Sequence, residues 1–121
     1  MENKKTLVIG ASEDTTRYAN LALRRLLSHG HDVVAIGSHA GKVQDVEINT
    51  EKQLFKDIDT VTLYLRPEKQ KEYYKYLAEL KPKRVIFNPG TENPELETLL
   101  SQKGIEPVEA CTLVMLSTGQ F

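Results

Sequence analysis

Residues 6–19 read TLVIGASEDTTRYA. An apolar run, Thr6–Ile9, leads into Gly10, then a turn of small and polar residues, then a segment of helical periodicity. A short run of this kind suits a strand covered on both faces, and such strands belong to parallel sheets. Gly10 permits a tight turn or a close backbone approach. Ala19, Ala22, Leu23, Leu26 and Leu27 then recur at i, i+3, i+4, i+7 and i+8, the apolar stripe of an amphipathic helix. Arg24, Arg25 and His29 suit the negative end of its dipole, and Gly30 is a natural stop.

The rest of the chain repeats this alternation. The spacing predicts strands over Lys5–Gly10, Asp32–Gly37, Thr60–Leu65, Lys83–Gly90 and Ile105–Ala110. Residues 38–48, SHAGKVQDVEI, read as a loop with a short extended piece at Val46–Ile48. Pro67 opens a helix with an apolar edge of Tyr73, Leu77 and Leu80. Asn93 caps another, which starts at Pro94, buries Leu96, Leu99 and Leu100, and ends at Gly104. CTLVMLSTGQF closes the chain with a short helix. Strands alternating with helices imply right-handed β-α-β crossovers. The expected fold is α/β, a three-layer Rossmann-like sandwich with a mostly parallel sheet of about five strands.

The 121 residues suit a single domain, 1–121, with enough core to need no disulfide or metal. A net charge of −1 gives no bulk attraction to nucleic acid or an anionic membrane. No apolar run is long enough to span a bilayer or to serve as a signal-peptide core. The single cysteine, Cys111, cannot form an internal disulfide. A cytoplasmic location is expected.

In open α/β sheets, ligands bind beyond the carboxyl ends of the strands. That rule nominates four loops: Gly10–Arg17, Gly37–Lys42, Leu65–Pro67 and Asn88–Asn93. The first has hydroxyls at Ser12, Thr15 and Thr16, a helix N-terminus and Arg17, a set that suits an anion. It equally suits a plain turn with a Ser/Thr cap. The G-x-G-x-x-G pattern is incomplete, because Ser12 and Thr15 replace the second and third glycines, and no Walker A sequence is present. NAD-binding units carry an acid after the second strand for the ribose hydroxyls. Here that loop is Gly37-Ser38-His39-Ala40-Gly41-Lys42, with no carboxylate. This argues against NAD and suits a phosphorylated ribose, as in NADP or coenzyme A, although His39 and Lys42 taken singly read as solvated loop residues. Arg66 is placed to meet a phosphate or to lie exposed before a helix. Asn88 and Gly90 are candidates for contact with adenine or pantetheine, or for plain turn chemistry.

The histidines His29, His31 and His39 lack the spacing of a metal site, and no acid–base pair stands out. Cys111 reads first as a buried thiol, although it follows a strand on the ligand-binding edge. No catalytic residue is expected.

VIGAS after the first strand, RPE after the third, NPGTENPEL after the fourth and the terminal EACTLVMLSTGQF together resemble the small stand-alone CoA-binding proteins. These are similar to the N-terminal CoA-binding domain of the succinyl-CoA synthetase α subunit. The resemblance covers nearly the whole chain. It implies coenzyme A, or an acyl-CoA, at the carboxyl edge of the sheet. Gly10, Ala11 and Ser12 would line the phosphate turn, with Arg17 facing it. Ser38 and Lys42 would flank the adenosine, and Arg66 and Pro67 would form the neighbouring wall. Gly37-Ser38 departs from the Asn-Pro pair common in the family. The synthetase's phosphohistidine lies in a domain outside this match, so the resemblance implies no catalytic residue. An NADP-binding oxidoreductase or nucleotide-binding subunit, and a regulatory or scaffold subunit with a vestigial pocket, are the alternatives.

Overall fold

The computed structural model describes residues 2–121. Its strands are β1 (Thr6–Ile9), β2 (Val33–Ile36), β3 (Gly41–Val43), β4 (Val46–Asn49), β5 (Thr60–Leu63), β6 (Arg84–Phe87) and β7 (Glu106–Glu109). They form one sheet in the order β3-β4-β2-β1-β5-β6-β7. Every pairing is parallel except β3 with β4. The α/β, Rossmann-like expectation holds.

The sheet has seven strands, however, two more than the five strong runs suggested. Residues 38–40 are a loop and the extended piece expected at Val46–Ile48 is β4, but Gly41–Val43, expected as loop, is a strand as well. Gly41–Val43 folds back on Val46–Asn49 around Gln44, whose φ is 53°. Val43 and Ile48 are buried in the core while Lys42 and Glu47 are exposed, the alternation of a half-covered edge hairpin. Three residues of such a pattern carry too little period to read as a strand.

The helices are α1 (Tyr18–Ser28), α2 (Pro67–Gln70), α3 (Tyr74–Leu80), α4 (Pro94–Gln102) and α5 (Thr112–Ser117). The helix expected from Pro67 is broken by a 3₁₀ turn at Lys71–Tyr73, between α2 and α3. On one face of the sheet, α3 and α4 bury Leu77, Leu96 and Leu100 against Leu7, Ile9, Val61, Leu63, Val85 and Phe87. On the other, Ala19, Leu23 and Leu26 of α1 and Leu116 of α5 cover Val8, Ala35 and Ile86. Neighbouring strand residues thus point to opposite covered faces, which is why the strands read as continuous apolar runs. Each fully buried leucine contributes about 1.5–3 kcal/mol relative to an exposed one.

No helix among the described residues is long and apolar enough to cross a membrane. No described group of three or more His, Cys, Asp or Glu residues is arranged to hold a metal ion.

Candidate functional site

The strand order reverses at β1. The chain leaves β1 toward β2 on one side and returns to β5 on the other. The loops leaving β1 and β5 therefore diverge, and a cleft of about 800 Å³ opens at the carboxyl edge between them.

Its first wall is the turn Gly10–Arg17. The N–H groups of Gly10 and Ala11 both donate to the Ile36 carbonyl, at 2.9 and 3.0 Å, locking the end of β1 to β2. Gly10 has φ +94°, and a Cβ there would lie 2.8 Å from the Tyr64 carbonyl oxygen. Gly37 abuts the Ala11 carbonyl so closely that a Cβ would collide with it. Two glycines thus let the three loops pack backbone to backbone.

Beyond Ala11 the turn holds itself together. Ser12 Oγ accepts from the Asp14 N–H at 3.0 Å. Asp14 Oδ1 accepts from the Thr16 N–H at 2.9 Å and from its hydroxyl at 2.6 Å. These two bonds, with a smaller contribution from Arg17, hold the Asp14 carboxyl below the usual carboxylate range. The buried Asn20 donates to the Ser12 carbonyl at 2.9 Å and accepts from Arg24 Nε at 2.8 Å. The Ser/Thr cap of the plain-turn alternative is absent: α1 begins after Arg17, with no side-chain hydrogen bond at its cap. Among the described residues, the N–H groups of Ser12, Glu13 and Thr15 donate to no protein acceptor.

The second wall is the loop after β2, where Ser38 Oγ and His39 Nδ1 share a hydrogen bond of 3.0 Å. Glu13 reaches from the turn to accept the Lys42 N–H at 2.8 Å, tying the first loop to β3.

The third wall runs from Tyr64 through Arg66 and Lys69 to Tyr73, joined by Thr50 and Lys52 beyond β4. Arg66 Nε lies 3.8 Å from Glu68, both exposed. Among the described residues the buried Tyr64 hydroxyl has no hydrogen-bond partner, and burial pushes its phenol up to about 12. Lys52 Nζ stands 4.7 Å from the centre of the Tyr73 ring.

Gly10, Ala11, Ser12, Arg17, Ser38 and Arg66 line the cleft together. Four expected contact residues are not among those lining it. Lys42 belongs to β3, where its backbone N–H donates to Glu13, itself a lining residue. Pro67 is the first residue of α2 and shapes the wall without lining it. Asn88 is buried: its Nδ2 donates to Thr62 Oγ1 at 2.7 Å and the Leu63 carbonyl at 2.9 Å, and its Oδ1 accepts the Thr112 N–H at 2.9 Å. Its capacity is spent inside the protein. Gly90 takes an exposed turn at φ +92°, its N–H on Glu92, away from the cleft. Cys111 is half-buried at the start of α5 and is not a lining residue.

Sequence reasoning missed Thr50, Lys52, Tyr64, Lys69, Glu72 and Tyr73, lining residues that lie outside the four nominated loops. A signal existed for Lys69, three residues after Arg66 on a helix opened by Pro67 and so on the same side of it. Recognising Val46–Asn49 as the strand beside β2 would have brought Lys52 to the same edge.

Residues 4–117 match the model of a CoA-binding domain family. A crystal structure of an uncharacterised protein is 55% identical over the full length of both chains, with a TM-score of 0.98. A hypothetical protein from Pyrococcus horikoshii OT3 is 26% identical, covering 97% of this chain and 84% of its own, at TM-score 0.87. A dinucleotide-forming acetyl-coenzyme A synthetase of Ca. Korarchaeum cryptofilum shares the fold at TM-score 0.73 and 19% identity. That match covers 88% of this chain and 25% of the synthetase. No functionally curated protein matches the chain. With the family model spanning all but a few residues at each end, and the fold and its carboxyl-edge cleft alongside it, the chain belongs to the CoA-binding domain family.

Proposed function

We propose that this protein binds coenzyme A or an acyl-CoA in the cleft between the β1 and β5 loops, without catalysing a reaction on it. The observation that carries the reading is the Gly10–Arg17 turn. It is braced by its own side chains, yet leaves the Ser12, Glu13 and Thr15 N–H groups without a protein acceptor. Free backbone donors beside an uncapped helix start suit a pyrophosphate. The β2 loop offers Ser38 and His39 where a diol-binding acid would stand, which suits a phosphorylated ribose. The cleft volume falls in the range of small-molecule sites.

The non-catalytic part of the reading rests on how the cleft carboxylates are used. Asp14 braces the turn and Glu13 ties it to β3, so two of the three carboxylates that line the cleft, Glu72 being the third, are committed to structural bonds. A cytoplasmic location accompanies it, with Cys111 as a free thiol.

Calorimetric titration of ligand-free protein with CoA, acetyl-CoA, NADP and NAD tests the binding. Saturable binding of CoA or acetyl-CoA in preference to both dinucleotides is expected. Preference for NADP would replace this reading with a nucleotide-binding subunit. Absence of binding by all four would leave a scaffold with a vestigial pocket. Acetyl-CoA recovered intact after long incubation is the outcome expected of a binder.

A further inference from the structure

The cleft carries four cationic side chains, and they differ in one respect. Arg17 lies 3.9 Å from Asp14, and Arg66 lies 3.8 Å from Glu68. Lys52 and Lys69 also line the cleft, and among the described residues neither has a carboxylate within 4 Å. Glu72 is on the same wall but pairs with neither lysine. The two lysines come from different elements. Lys52 lies beyond β4 and Lys69 on α2, so their meeting at one cleft is a product of the fold.

Lys52 is also held in place. Its ammonium stands over the Tyr73 ring at 4.7 Å. The next residue, Gln53, is pinned on both sides: its N–H donates to the Glu51 carbonyl at 2.9 Å, and its carbonyl accepts the Tyr76 hydroxyl. A restrained ammonium loses less freedom when an anion arrives.

The opposite wall supplies backbone N–H groups, the donors that suit a pyrophosphate. Two unpaired ammonium groups suit a different anion. A phosphate monoester carries close to two negative charges at neutral pH, and lysine meets it as a point charge. The β4 strand neighbours β2, whose exit loop is the expected ribose position, so Lys52 emerges from the sheet beside it.

We propose that Lys52 and Lys69 form the subsite for the phosphate monoester on the ligand's ribose, and that they make the cleft select CoA over dephospho-CoA. This inference rests on the CoA reading given above. The two are tested apart by titrating CoA and dephospho-CoA, at one fixed salt concentration, into the unaltered protein, Lys69→Gln, Lys52→Gln and the double variant. The unaltered protein should bind CoA at least about tenfold more tightly. The double variant should lose about that factor for CoA and keep its affinity for dephospho-CoA. Equal affinity of the unaltered protein for the two ligands would overturn the subsite while leaving CoA binding intact. An equal loss for both ligands in the variants would overturn it too. Binding of neither ligand by the unaltered protein would remove the CoA reading itself. Lys52→Gln gives up the contact with Tyr73, so each variant's unfolding midpoint is compared with the parent's. Lys69 is exposed on α2, and Lys69→Gln alone, with a severalfold selective loss for CoA, carries the test if Lys52→Gln does not fold.

Discussion

Two regions of the same sheet edge have similar composition and opposite character. The turn after β1 and the turn after β6 each follow a buried strand, carry a glycine at positive φ and are rich in Ser, Thr, Asp or Asn. Between β1 and β5 the polar groups face a cleft, and several backbone donors have no protein acceptor. Between β5 and β6 they face one another. Asn88 bridges Thr62, Leu63 and Thr112. Gln70 donates to the Leu65 and Thr91 carbonyls at 2.7 and 2.8 Å, and accepts from Asn93 at 3.0 Å. One gap in the edge is left open and the other is plugged with satisfied polar side chains. Polar composition at a strand end therefore does not mark a ligand site; spare hydrogen-bonding capacity does.

The plug is where the largest stability effect is expected. Asn88→Ala would take away the acceptor of the Thr112 N–H and a donor from the Leu63 carbonyl in a buried place, while the Thr62 hydroxyl keeps its bond to Thr112 Oγ1. Stranded buried groups cost about 1–3 kcal/mol each before relaxation, so a loss of about 3 kcal/mol is expected in urea unfolding. If the two regions are as distinct as the hydrogen bonds make them, the affinity of the folded fraction for CoA stays within about twofold of the parent's. A tenfold loss of affinity without a stability change would erase the distinction.

Gly10→Ala should rank second in stability and first in binding. The new Cβ would approach the Tyr64 carbonyl to 2.8 Å, on a backbone at φ +94°. Strain of this kind costs about 1–3 kcal/mol. Because Gly10 sets the distance between the β1 and β5 loops, the turn must shift, and CoA affinity should fall about tenfold or more. Thermal unfolding and calorimetry on the same variant separate the two effects.

The same contrast explains what the sequence disclosed. Residues 6–27 were enough for β1, the turn and α1, because both faces of β1 are covered and the stripe from Ala19 to Leu27 is regular. β3 was hidden because a three-residue edge strand has one buried side chain, Val43, and no period. Gly10, Ala11, Ser12, Arg17, Ser38 and Arg66 were legible because the loops leaving adjacent parallel strands must share an edge. Asn88 reads identically whether its amide faces a ligand or Thr112, and only packing decides. Lys52 and Tyr73 reach the cleft through a tertiary contact between the chain after β4 and the turn after α2, which no local pattern encodes.

The smallest stability effect belongs to Asp14 in the open turn, and its direction in binding is opposite to that of Gly10→Ala. Asp14 is exposed, so Asp14→Asn should leave the unfolding midpoint at neutral pH nearly unchanged. The Thr16 hydroxyl and N–H, followed by Arg17, lower the carboxyl's folded value below its ordinary 3.8. Its contribution is therefore complete above pH 3.8 and fades as the pH falls through the lower folded value. The variant and parent should differ, if anywhere, above that window and converge below it. In binding, the carboxylate competes with an incoming phosphate for Arg17, 3.9 Å away. Removing the charge while keeping an oxygen to accept from Thr16 should release Arg17 and tighten CoA binding by about two- to threefold at low salt, with the gain shrinking as salt screens it. A weakened affinity would mean that bracing by Asp14 matters more than the charge it carries, and that the open region depends on internal hydrogen bonds as the plugged one does.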